Sequence, residues 1–110
     1  MDDTEVERLF HGIPELPQAT SRSIRALPDL LSDLGRTRQR GYGMDVSEAA
    51  DHVVGLAVAI ATRGVRSPLL AASVTLLDSQ VTDQRRDTMV RELRRLASAL
   101  GNPMSQVPPA

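Results

Sequence analysis

Two apolar runs, residues 53–61 and 69–77, flank Arg63-Gly64-Val65-Arg66-Ser67-Pro68 and constrain this 110-residue chain more than any other feature. Two β-prone runs of this length joined by loop residues predict an antiparallel hairpin. Side chains alternate across a strand, so each run divides by parity. In the first, Val54, Leu56, Val58 and Ile60 are large, while Gly55, Ala57, Ala59 and Ala61 are small. In the second, Leu70, Ala72, Val74 and Leu76 are apolar, while Ala71, Ser73 and Thr75 are small or hydroxylated. A core on one face fixes register, so the two bulky sets are expected to coincide. The opposite face then presents Gly55, Ala57, Ala71, Ser73 and Thr75. Two readings fit this shallow surface: the floor of a cavity, or a bed on which a helix packs closely with the hydroxyls bonded to backbone.

Helical patterns lie on both sides of the hairpin. Residues 4–10 form a short helix, with cap oxygens from Asp2, Asp3 and Thr4 and with Val6, Leu9 and Phe10 on one face. Gly12 and Pro14 end it. A second helix is expected over residues 27–40, with Pro28 in its first turn, a stripe of Leu27, Leu30, Leu31 and Leu34, and Gly41 as its stop. A brief extended piece follows over residues 42–46, then a turn of helix around residues 47–50. The last helix spans residues 83–100, capped by Thr82 and ended by Gly101 with Pro103. Its expected buried stripe is Met89, Leu93, Leu96, Ala97 and Leu100. Residues 102–110 read as a disordered tail.

The residues available exclude several kinds of chemistry. There is no cysteine, hence no disulfide scaffold and no thiolate ligand or nucleophile, which fits a reducing cytoplasm. Phe10 and Tyr42 are the only aromatics, so stacking platforms for bases are lacking. The net charge of −1 gives no overall field toward nucleic acid or an anionic membrane. The start, Met1-Asp2-Asp3-Thr4-Glu5, is unlike a signal peptide, and the longest apolar run, residues 53–61, is far short of the ~20 residues a bilayer span needs. His11 and His52 are the only histidines, and neither belongs to a metal-ligand spacing. His52 beside Asp51 has the composition of a base with its orienting acid, but such a pair is more often a solvated start to the strand. No catalytic set converges, and no cofactor motif is present. Arg85, Arg86, Arg91, Arg94 and Arg95 crowd the last helix, yet Asp83, Asp87 and Glu92 are interleaved with them, as on a solvated face laced by ion pairs.

Longer strings carry a resemblance. Residues 5–10 and 16–24, then Leu30-Leu31-Ser32-Asp33-Leu34, are similar to the connector and helix of IclR-family effector domains. Arg38-Gln39-Arg40-Gly41-Tyr42-Gly43-Met44-Asp45 resembles that family's Arg-x-x-Gly-Tyr/Trp-Ala-x-Asp signature, with Glu48 remaining of the acidic pair that follows it. Ala57-Val58-Ala59-Ile60 and Ala71-Ala72-Ser73-Val74-Thr75 resemble its hairpin strands, and Ala97-Ser98-Ala99-Leu100-Gly101 its closing helix. The resemblance covers residues 4–101. Ala59 stands where the family commonly has proline, Gly55 where it often has cysteine, and His52 where it often has glycine.

The resemblance implies an α+β fold, part of a GAF-like domain in which an antiparallel sheet packs with helices. It implies the rear portion of an effector-binding domain of a transcription regulator, without the winged helix-turn-helix, so that DNA is reached only indirectly. It also implies a small organic acid as effector and self-association as a dimer or tetramer. The expected effector site comprises Asp45, Gly55, Ala57, Ser73 and Thr75: Ala57 follows from its place on the small face, and four positions carry over from the family, Asp45, Gly55, Ser73 and Thr75. Three of these, Gly55, Ser73 and Thr75, already lie on the small face given by parity, which favours the cavity reading. Ser73 and Thr75 are expected to bond an effector oxygen, Gly55 and Ala57 to leave room, and Asp45 to act at the rim. The alternative is a truncated stand-alone module that pairs through open sheet edges and binds no ligand. A small enzyme is a weaker third reading.

Overall fold

Residues 2–61 and 70–101 are described by the computed structural model of the chain. Along it run α1 (Asp3–Leu9), α2 (Leu27–Arg40), β1 (Gly43–Val46), β2 (Val53–Ile60), β3 (Leu70–Leu77), a 3-10 turn (Asp78–Gln80) and α3 (Asp83–Gly101). The sheet is antiparallel in the order β1-β2-β3. The expected hairpin loop and the tail after residue 101 lie outside the described residues, as does Leu69 at the start of the second run.

Register follows the parity of the two runs. Val54 pairs with Leu76, Leu56 with Val74, Val58 with Ala72 and Ile60 with Leu70. Their face is covered by α3, which adds Val90, Leu93 and Ala97 to Leu56, Val58, Ile60 and Ala72 in one core. Leu56 at its centre is 1% exposed. Tyr42, Met44, Val74 and Met89 close its margins. Burying these aliphatic side chains is the main favourable term in the fold, each contributing about 1.5–3 kcal/mol when fully removed from water.

The phase of α3 differs from the sequence expectation. Leu96 and Leu100 are 48% and 51% exposed, while Val90 is buried. Turning the helix so that residues 90, 93 and 97 face inward places small Ala97 against β2, and the backbone comes close enough that a Cβ on Gly101 would run into the Ala61 carbonyl oxygen. Close approach of a helix to a sheet needs small residues at the contact, and that requirement outweighs the apolar character of Leu96 and Leu100. Thr82 caps the helix as expected, its Oγ1 accepting from the Arg85 N–H at 3.1 Å.

On the other side, α1 is capped by Asp2, whose Oδ1 accepts from the Glu5 N–H at 2.9 Å. Only Val6 of its expected apolar face is buried, and Leu9 is exposed. α2 occupies the expected residues with Pro28 in its first turn, and ends on Gly41 in the left-handed region at φ 82°, whose N–H donates to the Thr37 carbonyl. That conformation and the Arg94 guanidinium, which lies against the glycine, both favour a residue without a side chain. No residue of α2 is fully buried. The helix stands off the sheet.

Residues 47–50 do not form the expected helical turn. Ser47 is left-handed at φ 56° and buried, and the stretch is a series of bends. Its carbonyls are taken by side chains from the connector before α2: the Thr20 hydroxyl donates to the Ser47 carbonyl, and the Ser23 hydroxyl donates to the Glu48 carbonyl. The Ser23 oxygen in turn accepts from the Ala19 and Thr20 N–H groups at 3.0 and 2.9 Å. Two hydroxyls thus fasten the connector across the mouth of the β1–β2 loop, a local alternative to helix.

Candidate functional site

Because α2 stands off the sheet, the small-residue face is left open. Between it, α2 and the connector lies a cleft of about 730 Å³. Its floor takes Gly43 and Asp45 from β1, Gly55 and Ala57 from β2, and Ser73 and Thr75 from β3. These are register neighbours: Gly43 faces Ala57, Asp45 faces Gly55, Gly55 faces Thr75 and Ala57 faces Ser73. The cleft exists because these side chains are short. All five residues named from the sequence, Asp45, Gly55, Ala57, Ser73 and Thr75, therefore line one cavity.

The walls bring in residues that the sequence did not single out. From α2 come Leu30, Asp33, Leu34 and Thr37, one face at helical spacing, and from the connector Leu16, Pro17 and Ile24. Glu48 and Ala49 close the end nearest the β1–β2 loop. The signal for the α2 face was present in the spacing of Leu30 and Leu34, with Asp33 and Thr37 between and beyond them. What the sequence withheld was which side of α2 meets the sheet.

The hydroxyls and carboxylates of the cleft differ in how they are engaged. Ser73 and Thr75 are exposed to the cleft, and no described residue takes up either hydroxyl. The Thr37 hydroxyl donates to the Asp33 carbonyl one helical turn back. Asp45 Oδ1 accepts from the Glu48 N–H at 2.8 Å, and Glu48 Oε2 accepts from the Val46 N–H at 3.3 Å. This reciprocal clasp fixes both carboxylates at the same end of the cleft. Burial raises the Glu48 carboxyl above its ordinary value of 4.5; the Val46 N–H pulls it back, and repulsion from Asp45 and Asp33 raises it further.

Elsewhere, His52 pairs with Asp78, not with Asp51: its Nδ1 lies 3.0 Å from Asp78 Oδ2, and the Asp78 N–H donates to the His52 carbonyl. That joins the start of β2 to the end of β3, away from the cleft. Two of the α3 arginines form the interleaved pairs expected of a solvated face, Arg86 with Asp83 and Asp87, and Arg95 with Glu92, while Arg85 donates to the Gln80 carbonyl. Arg94 donates to the Arg40 carbonyl at 2.9 Å, and both Arg40 and Arg94 lie over the Tyr42 ring. Among the described residues no three histidine, cysteine or carboxylate side chains are grouped to hold a metal ion. No described helix is long and apolar enough to cross a membrane.

Comparison with known proteins places this geometry in a lineage. The family model described as "Bacterial transcriptional regulator IclR C-terminal" matches residues 1–102. Among solved structures, the C-terminal domain of the E. coli transcriptional regulator KdgR is similar at 24% identity and a TM-score of 0.82, over 96% of this chain and 63% of that one. The Agobacterium tumefaciens repressor BlcR is similar at 27% identity and a TM-score of 0.84, over 96% of this chain and 42% of its own. The inducer-binding domain of the Acinetobacter transcription factor PobR, a double mutant in complex with 3-hydroxybenzoic acid, is similar at 24% identity and a TM-score of 0.76, over 89% and 56%. The chain thus spans less than two thirds of each of these structures. No curated protein sequence matches it.

Proposed function

The chain belongs to the bacterial transcriptional regulator IclR C-terminal family, and from that premise we propose that its cleft is a small-molecule effector site. The α+β fold and the regulator lineage are settled by the match, and the lineage is not one of enzymes. The observation that carries the proposal is convergence. Asp45, Gly55, Ala57, Ser73 and Thr75 line one cavity of about 730 Å³, a size suited to a small organic ligand. Ser73 and Thr75 bond an oxygen or nitrogen of the effector, Gly55 and Ala57 leave it room, and the aliphatic walls shed water around its body. The PobR domain with its bound acid gives a precedent for ligand binding on this fold. Signalling follows from differential binding: an effector that fits one arrangement of α2 and the sheet better than another shifts the population toward it. Within a cytoplasmic regulator the described elements contain nothing suited to a DNA groove, so DNA responds only through other parts of the assembly.

The test is an amide NMR titration of the chain with 2-phenylethanol, a neutral probe of suitable size. Saturable shifts are expected at Gly43, Gly55, Ser73 and Thr75, and these are lost in Ala57→Leu, which fills the floor without touching the core. Shifts scattered over the surface, or unchanged by Ala57→Leu, contradict the site.

A second reading is favoured by the sheet edges. Among the described residues β3 has no strand on its outer side, and Leu70 and Leu77 at its two ends are exposed. An open edge of eight residues is a template for pairing, so the chain also serves as a self-association module forming dimers or tetramers. Sedimentation of the chain distinguishes the two: a stable dimer with no thermal shift across a small-acid panel favours association alone.

A further inference from the structure

We propose a second ligand site, apart from the cleft: a depression between the end of α2 and α3 that takes a small, multiply charged oxyanion of the phosphate class. It measures about 370 Å³ and is lined by Arg40, Tyr42, Asp87, Val90, Arg91 and Arg94, none of which lines the cleft. Elsewhere arginines of the chain reach carboxylates, as Arg25 does at Glu15, Arg38 at Asp3 and Arg95 at Glu92. Among the described residues Arg40, Arg91 and Arg94 have no such partner. Asp87, also in the lining, is shared with Arg86 at 3.4 Å, so the depression keeps an excess of positive charge. The whole chain carries a net charge of −1, which makes this excess a local property and not a general attraction for anions.

The fold holds these cations together. Arg91 and Arg94 stand three residues apart on α3 and so share a face. Arg94 donates from Nη2 to the Arg40 carbonyl at 2.9 Å, which takes up an acceptor at the negative end of α2. The guanidinium carbons of Arg40 and Arg94 lie 5.4 and 5.9 Å from the centre of the Tyr42 ring, so one ring keeps two like charges beside each other. Arg40 supplies an independent sign. Its Nε is buried with no hydrogen-bond partner, and its Nη2 reaches the Thr37 hydroxyl only at 3.4 Å. A buried N–H left unmade is unfavourable, and neighbouring like charges repel. An oxyanion answers both, because guanidinium groups present several N–H donors in a plane and phosphate oxygens accept from more than one of them at once. Three guanidiniums against one shared carboxylate favour an anion of two or more charges over a monocarboxylate.

The probe is inorganic pyrophosphate, titrated into the isotope-labelled chain at low ionic strength with backbone and arginine Nε–H signals as the readout. Saturable shifts are expected at Arg40, Arg91, Arg94 and the Gly41 amide, with acetate binding far more weakly. Arg91→Gln removes an exposed side chain that holds no ion pair, and is expected to weaken pyrophosphate binding roughly tenfold. Arg95→Gln, on the same helix but outside the depression, is expected to leave it unchanged. Equal losses in the two variants, or acetate binding as tightly as pyrophosphate, overturn the site. So do arginine signals that fail to saturate. A short DNA duplex that displaces pyrophosphate from the same arginines at lower concentration overturns the assignment to a small molecule.

Discussion

At Gly101 the end of α3 lies so close to the Ala61 carbonyl that a methyl group has nowhere to go, because the obstacle is backbone. Gly101→Ala is expected to destabilise the chain by about 1–3 kcal/mol, read as a lower urea midpoint at unchanged slope. Glu48 carries a prediction in pH. Its folded carboxyl is raised above 4.5, so just above that pH the folded chain keeps a proton that the unfolded chain has released. Stability from this residue is therefore complete below 4.5 and is lost as pH rises through the folded value. Glu48→Gln, which still accepts from the Val46 N–H, is expected to match the parent near pH 4 and exceed it at pH 7 in urea unfolding. Equal stability at both pH values contradicts the assigned cause. Gly101 meets a residue forty positions back, and the Glu48 shift comes mainly from burial in the packed fold, so neither was legible from the residue alone.

At the scale of elements, the hairpin was readable and the helices only partly so. Parity sorted Val54, Leu56, Val58 and Ile60 from Gly55, Ala57 and Ala59 without ambiguity, because a one-residue slip would have put the aliphatic set in water. For α3 two stripes compete, the expected residues 89, 93, 96, 97 and 100 against the observed 90, 93 and 97 with Met89 at the margin, and a 3.6-residue period accommodates both. Apolar content favoured the first, whereas close approach to β2 selected the second. Leu93→Ala should cost about 2–5 kcal/mol and Leu96→Ala within about 0.5–1 kcal/mol. A reversal of that order in thermal or urea unfolding would return the helix to the expected phase. The bends at residues 47–50 were hidden for a different reason. Ser47-Glu48-Ala49-Ala50 is an acceptable helical turn in isolation, and only the Thr20 and Ser23 hydroxyls, far back along the chain, draw its carbonyls away. Thr20→Val keeps the shape and leaves the Ser47 carbonyl without that donor, and a loss of about 1–3 kcal/mol is expected.

Across the whole molecule the two faces of one sheet have been given different work. The bulky face is closed by α3 into the core, which fixes the strands. The small face is spanned by α2 and the connector without being filled, and the residues the sequence singled out converge there. Family resemblance directed attention to those positions. It did not indicate Asp33 and Thr37, whose relevance depends on the rotation of α2.

The central claim, that a small molecule binds between α2 and the small-residue face, is tested most directly by intermolecular NOEs between methyl-labelled chain and 2-phenylethanol. Contacts from the probe ring to the methyl groups of Ala57, Thr75, Leu30 and Leu34 are predicted. Contacts confined to Leu96, Leu100, Leu70 or Leu77, apolar side chains exposed outside the cleft, would contradict it.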